Sequence, residues 1–189
     1  MKRIAILASG SGTNAENIIK YFKNSDSISV AHVLSNKKDA KVLERASRLD
    51  IPNRSFDKND FIATDEVLNI LKENADYVIL AGFLWKVPSK IIDAFPNKII
   101  NIHPALLPKY GGKGMYGMHV HNAVVENKEK QTGITIHYVN ENYDEGAIIF
   151  QKSFDVLESD TPDDVAQKIH SLEYEYFPKI IEKAILEND

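Results

Sequence analysis

The chain has 189 residues, of which 43% are hydrophobic and 26% are charged, and its formal net charge at pH 7 is −4. Its length suits a single domain, expected over residues 1–189. The acidic balance excludes the broad basic surface that nucleic-acid binding requires. The absence of cysteine excludes disulfides, thiolate metal sites and a cysteine nucleophile. No segment approaches the roughly 20 apolar residues of a membrane span, so we expect no membrane association and a cytoplasmic location.

Apolar runs of strand length alternate with amphipathic stretches in the first half of the chain. The predicted strands are Arg3–Ala8, Ser29–Leu34, a short segment at Asn53–Phe56, Tyr77–Ala81 and Ile99–Ile102. Helical spacing predicts helices that end near Phe22 and that cover Asp39–Leu49 and Phe61–Asn74. Continuous apolar runs suit strands that are covered on both faces. The pattern therefore predicts an α/β fold with a mostly parallel, open, twisted sheet and helices on both faces.

The second half of the chain has a different pattern. A loop rich in Gly and Pro runs from His103 to Met118, and its length favours a functional role. A short helix is predicted near His119–Asn127, and a long helix that bends near Pro178 is predicted at Pro162–Leu186. Two strands between these helices, joined by the polar turn NENYDEG, are predicted at Gly133–Tyr138 and Ala147–Phe154.

The segment GSGTN, residues 10–14, lies between the first predicted strand and its helix. Glycines allow close approach of the backbone, and the amides of a helix N-terminus favour an anion. An ordinary strand-to-helix turn and a dinucleotide site are the alternatives. The dinucleotide pattern fits less well, because Ala15 replaces its third glycine and the neutral pair Ser35–Asn36 ends the second strand. We expect a mononucleotide phosphate here, with Gly12 touching the anion and Gly12→Val weakening binding without affecting the fold.

Asn101 and His103 lie at the carboxyl end of a predicted central strand, where ligands bind in open α/β sheets. Residues two apart on a strand face the same side. An amide and an imidazole together suit acyl transfer, because one stabilises an oxyanion and the other moves protons. Asp144, in the polar turn, is typical of a solvated loop when its sequence surroundings are considered alone. The segment His119–His121 offers two imidazoles but no third metal ligand at a useful spacing, so no metal site is expected.

Six segments, in order along the chain, resemble the glycinamide ribonucleotide formyltransferases of purine biosynthesis: ILASGSGTN, LSNKKDA, VILAGFLWKVP, NIHPALLPKYGGKGMYG, TGITIHYVNENYDEGAIIFQ and SLEYEYFP. The resemblance implies a Rossmann-like fold and transfer of a formyl group from 10-formyltetrahydrofolate to the amine of 5'-phosphoribosylglycinamide. The products would be formylglycinamide ribonucleotide and tetrahydrofolate. It implies no metal, only small-molecule substrates, and a monomer or homodimer. The N-terminal half would bind the ribonucleotide phosphate, and the C-terminal half would bind folate and catalyse.

The same resemblance implies individual roles. Asn101, His103 and Asp144 match the catalytic residues, with Asp144 raising the pKa of His103 above its usual value. The residues that match the ribonucleotide site are Ser11, Gly12, Thr13, Asn14, Gly82 and Glu173. The residues that match the folate site are Lys58, Asn59, Leu84, Trp85, Lys86, Val87, Asn101, Asn140, Glu141 and Tyr143. The pair Trp85–Lys86 departs from the Met-Arg type of pair in many members, and Lys58 stands near the position of an arginine.

Other classes remain as alternatives. Methionyl-tRNA formyltransferases and formyltetrahydrofolate hydrolases share the NIHP region, but the former carry a further β-rich domain and the latter an N-terminal regulatory domain. The length and acidic balance of this chain favour the ribonucleotide enzyme. A nucleotide-binding module without activity is the non-enzymatic alternative, and the presence of Asn101, His103 and Asp144 disfavours it.

Overall fold

The computed structural model describes residues 1–187, which form two compact units. The first unit contains Met1–Ile100 and the end of the last helix, and the second contains Asn101–Ala184. The elements of the first hundred residues are β1 (Lys2–Ala8), α1 (Thr13–Phe22), β2 (Ile28–Ser35), α2 (Lys41–Arg48), β3 (Asn53–Ser55), a π-helical turn (Asn59–Ala63), α3 (Glu66–Asn74), β4 (Tyr77–Leu80) and α4 (Ser89–Ala94). The later elements are β5 (Ile99–His103), α5 (Met118–Glu126), β6 (Gln131–Tyr138), β7 (Ile148–Asp155) and α6 (Pro162–Glu187).

The strands of the first unit are parallel and deeply buried. β1 pairs with β2 on one side and with β4 on the other, and β2 pairs with β3. Residues Ile4–Ala8 are fully buried, as expected for a strand covered on both faces. The register places Leu7 beside Leu34 and Leu80, so the carboxyl ends of β1, β2 and β4 lie at one edge. The loops that follow these three strands therefore emerge together.

The second unit contains an antiparallel pair of strands. β6 and β7 pair from Gln131 opposite Asp155 to His137 opposite Ile148. Gly133 is required at its position, because a Cβ there would lie 1.9 Å from the carbonyl oxygen of Lys152. Most of β6 is buried whereas β7 is exposed or half-buried throughout.

The seven strands follow the order β3-β2-β1-β4-β5-β6-β7 in one sheet. The predicted α/β class with a mostly parallel sheet is confirmed, and every predicted strand is present. Within residues 1–187, no helix is both long enough and apolar enough to cross a membrane.

One helical prediction needs correction, and one short helix was not predicted. The stretch Phe61–Asn74, predicted as one helix, consists of the π-helical turn and α3, separated by the extended residue Thr64. Asp57 and Asp60 exchange hydrogen bonds between their carboxylates and backbone amides, which favours a separate turn over a continuous helix. The six-residue helix α4 was not predicted, because it is too short to show helical periodicity.

Candidate active site

The Gly-rich turn of the first unit leads from β1 into α1. Gly12 has a φ of +74°, in the left-handed region, and an added Cβ would lie 2.5 Å from the Cβ of Val42 and 2.6 Å from its Cα. A side chain at Gly12 would therefore displace the backbone of α2. The expectation that Gly12→Val leaves the fold intact is wrong, because glycine is required here by packing and backbone conformation regardless of any ligand.

Helix α2 binds the carbonyl oxygens of this turn. The amide of Val42 donates to the oxygen of Gly10 at 3.2 Å, and Arg45 Nε donates to the oxygen of Ser11 at 2.8 Å. The guanidinium of Arg45 also forms an ion pair with Glu16 in the first turn of α1. Thr13 and Asn14 open α1, at the end where backbone amides lack partners within the helix. The turn is thus held from one side by α2, in the arrangement that suits anion binding at α1.

Ser9 connects the turn to the segment after β4, a role that was not predicted from the sequence. Its amide donates to the oxygen of Gly82 at 3.1 Å, and its Oγ accepts from the amide of Leu84 at 3.0 Å. Ser9 is buried. Gly82 has a φ of +72°. These two bonds bring Gly82 and Leu84 beside the end of β1.

An aromatic cluster joins the two stretches of the first unit that match the folate site. The rings of Phe56, Phe61, Phe83 and Trp85 lie with centroids 5.1–6.5 Å apart. Of the other predicted folate residues in this unit, Val87 is buried. The rest are exposed, namely Lys58, Asn59, Leu84 and Lys86. Trp85 therefore packs largely against protein, and the cluster holds residues 56–61 against residues 83–85.

Four side chains of the second unit converge at the end of β5. Asp144 Oδ2 lies 3.6 Å from His103 Nδ1, and Asp144 Oδ1 lies 3.6 Å from His137 Nε2. Asn101 Nδ2 lies 3.0 Å from His137 Nε2. His103 is only 4% exposed. The structure thus brings Asn101, His103 and Asp144 together, although 41 to 43 positions separate Asp144 from the other two, and it adds His137.

The hydrogen bonds assign the protons of the two imidazoles. His137 Nδ1 lies 2.9 Å from the carbonyl oxygen of Tyr138, which can only accept, so Nδ1 carries the proton. In the neutral form of that ring, His137 Nε2 is an acceptor for the amide of Asn101. His103 Nε2 lies 2.7 Å from the carbonyl oxygen of Tyr110 and donates to it, which leaves Nδ1 as the basic atom of the neutral ring. That basic atom faces Asp144.

Burial decides the charge of His103. Desolvation lowers the pKa of His103 below its usual value and outweighs the opposing effects of Asp144 and the Tyr110 carbonyl. The expectation of a raised pKa is wrong, because removing water from the imidazolium costs more here than one nearby carboxylate returns. Burial also acts to raise the pKa of Asp144, but the two imidazoles and the amide of Gly112 hold it below its usual value. The pair therefore consists of a neutral ring and a carboxylate near neutral pH.

The loop after β5 supplies the backbone groups of this cluster. The carbonyl oxygen of Tyr110 accepts a hydrogen bond from His103, and the amide of Gly112 donates one to Asp144 Oδ2 at 2.9 Å. Thr135 holds the start of the same loop, because its hydroxyl donates to the oxygen of Ala105 at 2.6 Å and accepts from the amide of Leu107 at 3.0 Å. None of these three roles was predicted, since periodicity does not identify partners across a fold.

Glu173 of α6 is close enough to the cluster for its charge to act on His103, whose pKa it acts to raise against the effect of burial. Glu173 is 6% exposed, and its Oε2 lies 3.1 Å from His170 Nδ1. The hydrogen bond to Glu173 raises the pKa of His170, whereas burial lowers the pKa of His121. Among residues 1–187, no cluster of three or more His, Asp or Glu side chains could hold a metal ion. The other predicted folate residues, Asn140, Glu141 and Tyr143, are exposed in the turn that leads to Asp144.

Comparison with known proteins identifies the family. The sequence model of the formyl transferase family matches residues 2–181. A Bacillus subtilis protein named phosphoribosylglycinamide formyltransferase is 35% identical over 98% of this chain and 95% of the relative. A crystal structure of phosphoribosylglycinamide formyltransferase from Bacillus halodurans superimposes with a TM-score of 0.89 at 36% identity, covering 100% of this chain and 97% of that one.

A plant relative is longer than this chain. The chloroplastic phosphoribosylglycinamide formyltransferase of Arabidopsis thaliana is 37% identical over 95% of this chain, which spans 64% of the length of that relative. The family match covers most of the chain, and the buried His103–Asp144 pair lies within the matched residues. The chain belongs to the formyl transferase family.

Proposed function

We propose that this protein transfers the formyl group of 10-formyltetrahydrofolate to the amine of 5'-phosphoribosylglycinamide. The observation that carries the proposal is the buried His103, which lies between Asp144 and the carbonyl oxygen of Tyr110. The amide of Asn101 is held in the same cluster by His137. Acyl transfer requires these two groups, a side chain that carries a proton and a hydrogen-bond donor that stabilises the oxyanion. The named relatives point to the same activity. We further propose a cytoplasmic enzyme that acts as a monomer or homodimer on these two small molecules.

Asn101 is the proposed hydrogen-bond donor to the formyl oxygen. Its Nδ2 carries two protons, and one is committed to His137 Nε2 at 3.0 Å. The second proton remains for an oxygen that gains negative charge when an amine attacks the formyl carbon. Because His137 fixes the orientation of the amide, the donor is in place before the charge develops, which is the condition for effective oxyanion stabilisation.

His103 is the proposed proton carrier. The neutral ring can take a proton at Nδ1, and Asp144 Oδ2, 3.6 Å away, stabilises the imidazolium that forms. The lowered pKa of His103 supports a carrier that is neutral at rest and charged only during the reaction. The proton released by the attacking amine would thus be held between Nδ1 and Asp144 until the leaving nitrogen accepts it.

The residues that match the family's substrate sites are proposed to bind the two substrates. The proposed ribonucleotide residues are Ser11, Gly12, Thr13, Asn14, Gly82 and Glu173. The proposed folate residues are Lys58, Asn59, Leu84, Trp85, Lys86, Val87, Asn101, Asn140, Glu141 and Tyr143. The turn held by α2 supports the phosphate assignment, and the aromatic cluster supports folate binding at residues 56–61 and 83–87. The formyl carbon itself is supplied by the folate.

One assay tests the proposal. The purified protein is incubated with both substrates, and tetrahydrofolate and the formylated ribonucleotide are quantified by absorbance and mass spectrometry. We expect equal amounts of the two products, and neither when either substrate is omitted. Formate released without the ribonucleotide would indicate a hydrolase instead. Binding of the ribonucleotide without any tetrahydrofolate would indicate a nucleotide-binding module and would refute the proposal.

A further inference from the structure

A chain of contacts connects Glu129, outside the catalytic cluster, to the His103–Asp144 pair. Glu129 lies between α5 and β6, and its Oε1 accepts from the phenol of Tyr110 at 2.9 Å. The same carboxylate accepts from Lys109 Nζ at 3.0 and 3.2 Å. Two consecutive loop residues are therefore tied to one side chain.

The backbone of the same short segment contacts both members of the pair. The carbonyl oxygen of Tyr110 accepts from His103 Nε2 at 2.7 Å, and the amide of Gly112 donates to Asp144 Oδ2 at 2.9 Å. Gly111, between them, is closely packed, because a Cβ there would lie 2.6 Å from Leu107 Cδ2 and 3.3 Å from Asp144 Cβ, and both side chains would have to shift. The position of residues 110–112 thus sets the orientation of the imidazole and of the carboxylate together.

Tyr110 needs an external restraint to hold this position. Its φ of +55° is unfavourable for a residue with a side chain. Two further residues of the loop, Gly112 and Gly114, have φ values of +95° and +87°, and Lys113 between them is exposed. A glycine-rich loop loses much conformational entropy when it is ordered. The phenol of Tyr110 is half-buried and its hydrogen bond to Glu129 supplies a fixed point at the start of this loop.

We propose that Tyr110 and Glu129 are positioning residues for catalysis, and that their hydrogen bond holds the loop backbone that orients His103 and Asp144. The proposal rests on the formyl transfer proposed above for its kinetic consequences. The Lys109–Glu129 ion pair is not the anchor, because the Lys109 side chain is 68% exposed and such surface pairs contribute little. The anchor is the phenol, which contacts the carboxylate from a half-buried position.

The test separates hydrogen bonding from charge. Tyr110→Phe removes only the hydroxyl, and Glu129→Leu removes the acceptor. Glu129→Gln keeps an oxygen that can accept from the phenol but removes the charge, and Lys109→Met removes only the exposed ion pair. We expect the first two variants to lower kcat at least about tenfold with little change in KM, because a small misplacement of a reacting group is costly. We expect the last two to stay within about threefold of the parent.

Two measurements detect the loss of the Tyr110–Glu129 hydrogen bond and do not require that the protein transfers a formyl group. The Tyr110 carbonyl contact acts to raise the pKa of His103 against burial, as do Asp144 and Glu173, whereas His137 acts to lower it. In Tyr110→Phe and Glu129→Leu, the NMR titration of the His103 ring should therefore move to lower pH. The amide of Gly112 should also exchange faster with solvent, because its bond to Asp144 is weakened. Glu129→Gln and Lys109→Met should change neither property.

The outcomes distinguish the two proposals. If the parent protein transfers no formyl group but the anchor variants alter His103 titration and Gly112 exchange, the proposed function fails and the positioning role stands. If Tyr110→Phe keeps the parent kcat, His103 titration and Gly112 exchange, the positioning role is refuted whatever the reaction. A melting curve for each variant verifies that a lost rate does not reflect a lost fold.

Discussion

Replacement of Gly12 by alanine should destabilise the fold measurably, even in the absence of substrates. The left-handed φ of +74° costs an L-residue about 1–2 kcal/mol. The added Cβ would lie 2.5 Å from the Val42 Cβ and 2.6 Å from the Val42 Cα, and forcing an extra methyl group into such a contact typically costs about 1–3 kcal/mol. Together these effects lower the free energy of unfolding by about 2–5 kcal/mol, a large share of the usual total.

A thermal melt measures this loss. For a domain of this size, each kcal/mol lowers the Tm by about 2–4 °C, so Gly12→Ala should melt about 4–20 °C below the parent. Gly10→Ala is the matched control, because a Cβ at Gly10 meets no atom within 4 Å and its φ lies outside the left-handed region. It should melt within a few degrees of the parent, and weaker ribonucleotide binding by this variant would then report the anion contact alone. A Gly12→Ala protein that melts with the parent would refute the packing argument.

Two further substitutions each remove one charged group, Asp144 in the second unit and Arg45 in the first. Asp144→Asn removes the charge that raises the His103 pKa, so this pKa should fall further below its usual value and turnover at neutral pH should drop about a hundredfold. The pH at which imidazolium is lost should then move downward in a plot of kcat against pH, and an unmoved profile would exclude an electrostatic role for Asp144. Arg45→Met should raise the KM for the ribonucleotide about tenfold at constant kcat, because the Ser11 carbonyl loses its partner and Glu16 loses one counter-ion while keeping Lys20. Arg48→Met, on an exposed position of the same helix, is the control, and equal KM values in the two variants would show that Arg45 does not act through the turn.

Strands such as β1 and β4 could be predicted because each consists of a short run of mostly apolar neighbouring residues. The structure buries both runs, as such a pattern predicts. Asn101 and His103 could be placed on the same side of β5 by alternation alone. The helix around Phe61 could not be divided correctly, because the exchange of hydrogen bonds between Asp57 and Asp60 is not visible in apolar spacing.

The electrostatic properties of the candidate site depend on contacts that sequence separation conceals. Asp144 lies far along the chain from His103, and only the family resemblance suggested that they meet. His137 was not recognised, although it lies on β6 with its ring against both Asp144 and Asn101. The direction of the His103 pKa shift could not be predicted, because it depends on how much water the folded chain excludes around the ring.

The central claim is that His103 carries a proton during formyl transfer, and the kinetics of His103→Ala test it most directly. His119→Ala is the matched control, because that imidazole is exposed and packs edge-on against Tyr116. We predict that His103→Ala lowers kcat for formyl transfer by about a hundredfold or more while KM for both substrates stays near the parent values. His119→Ala should retain the parent kcat. A His103→Ala protein with near-parent turnover would contradict the account, because no other proton carrier is assigned to the cluster.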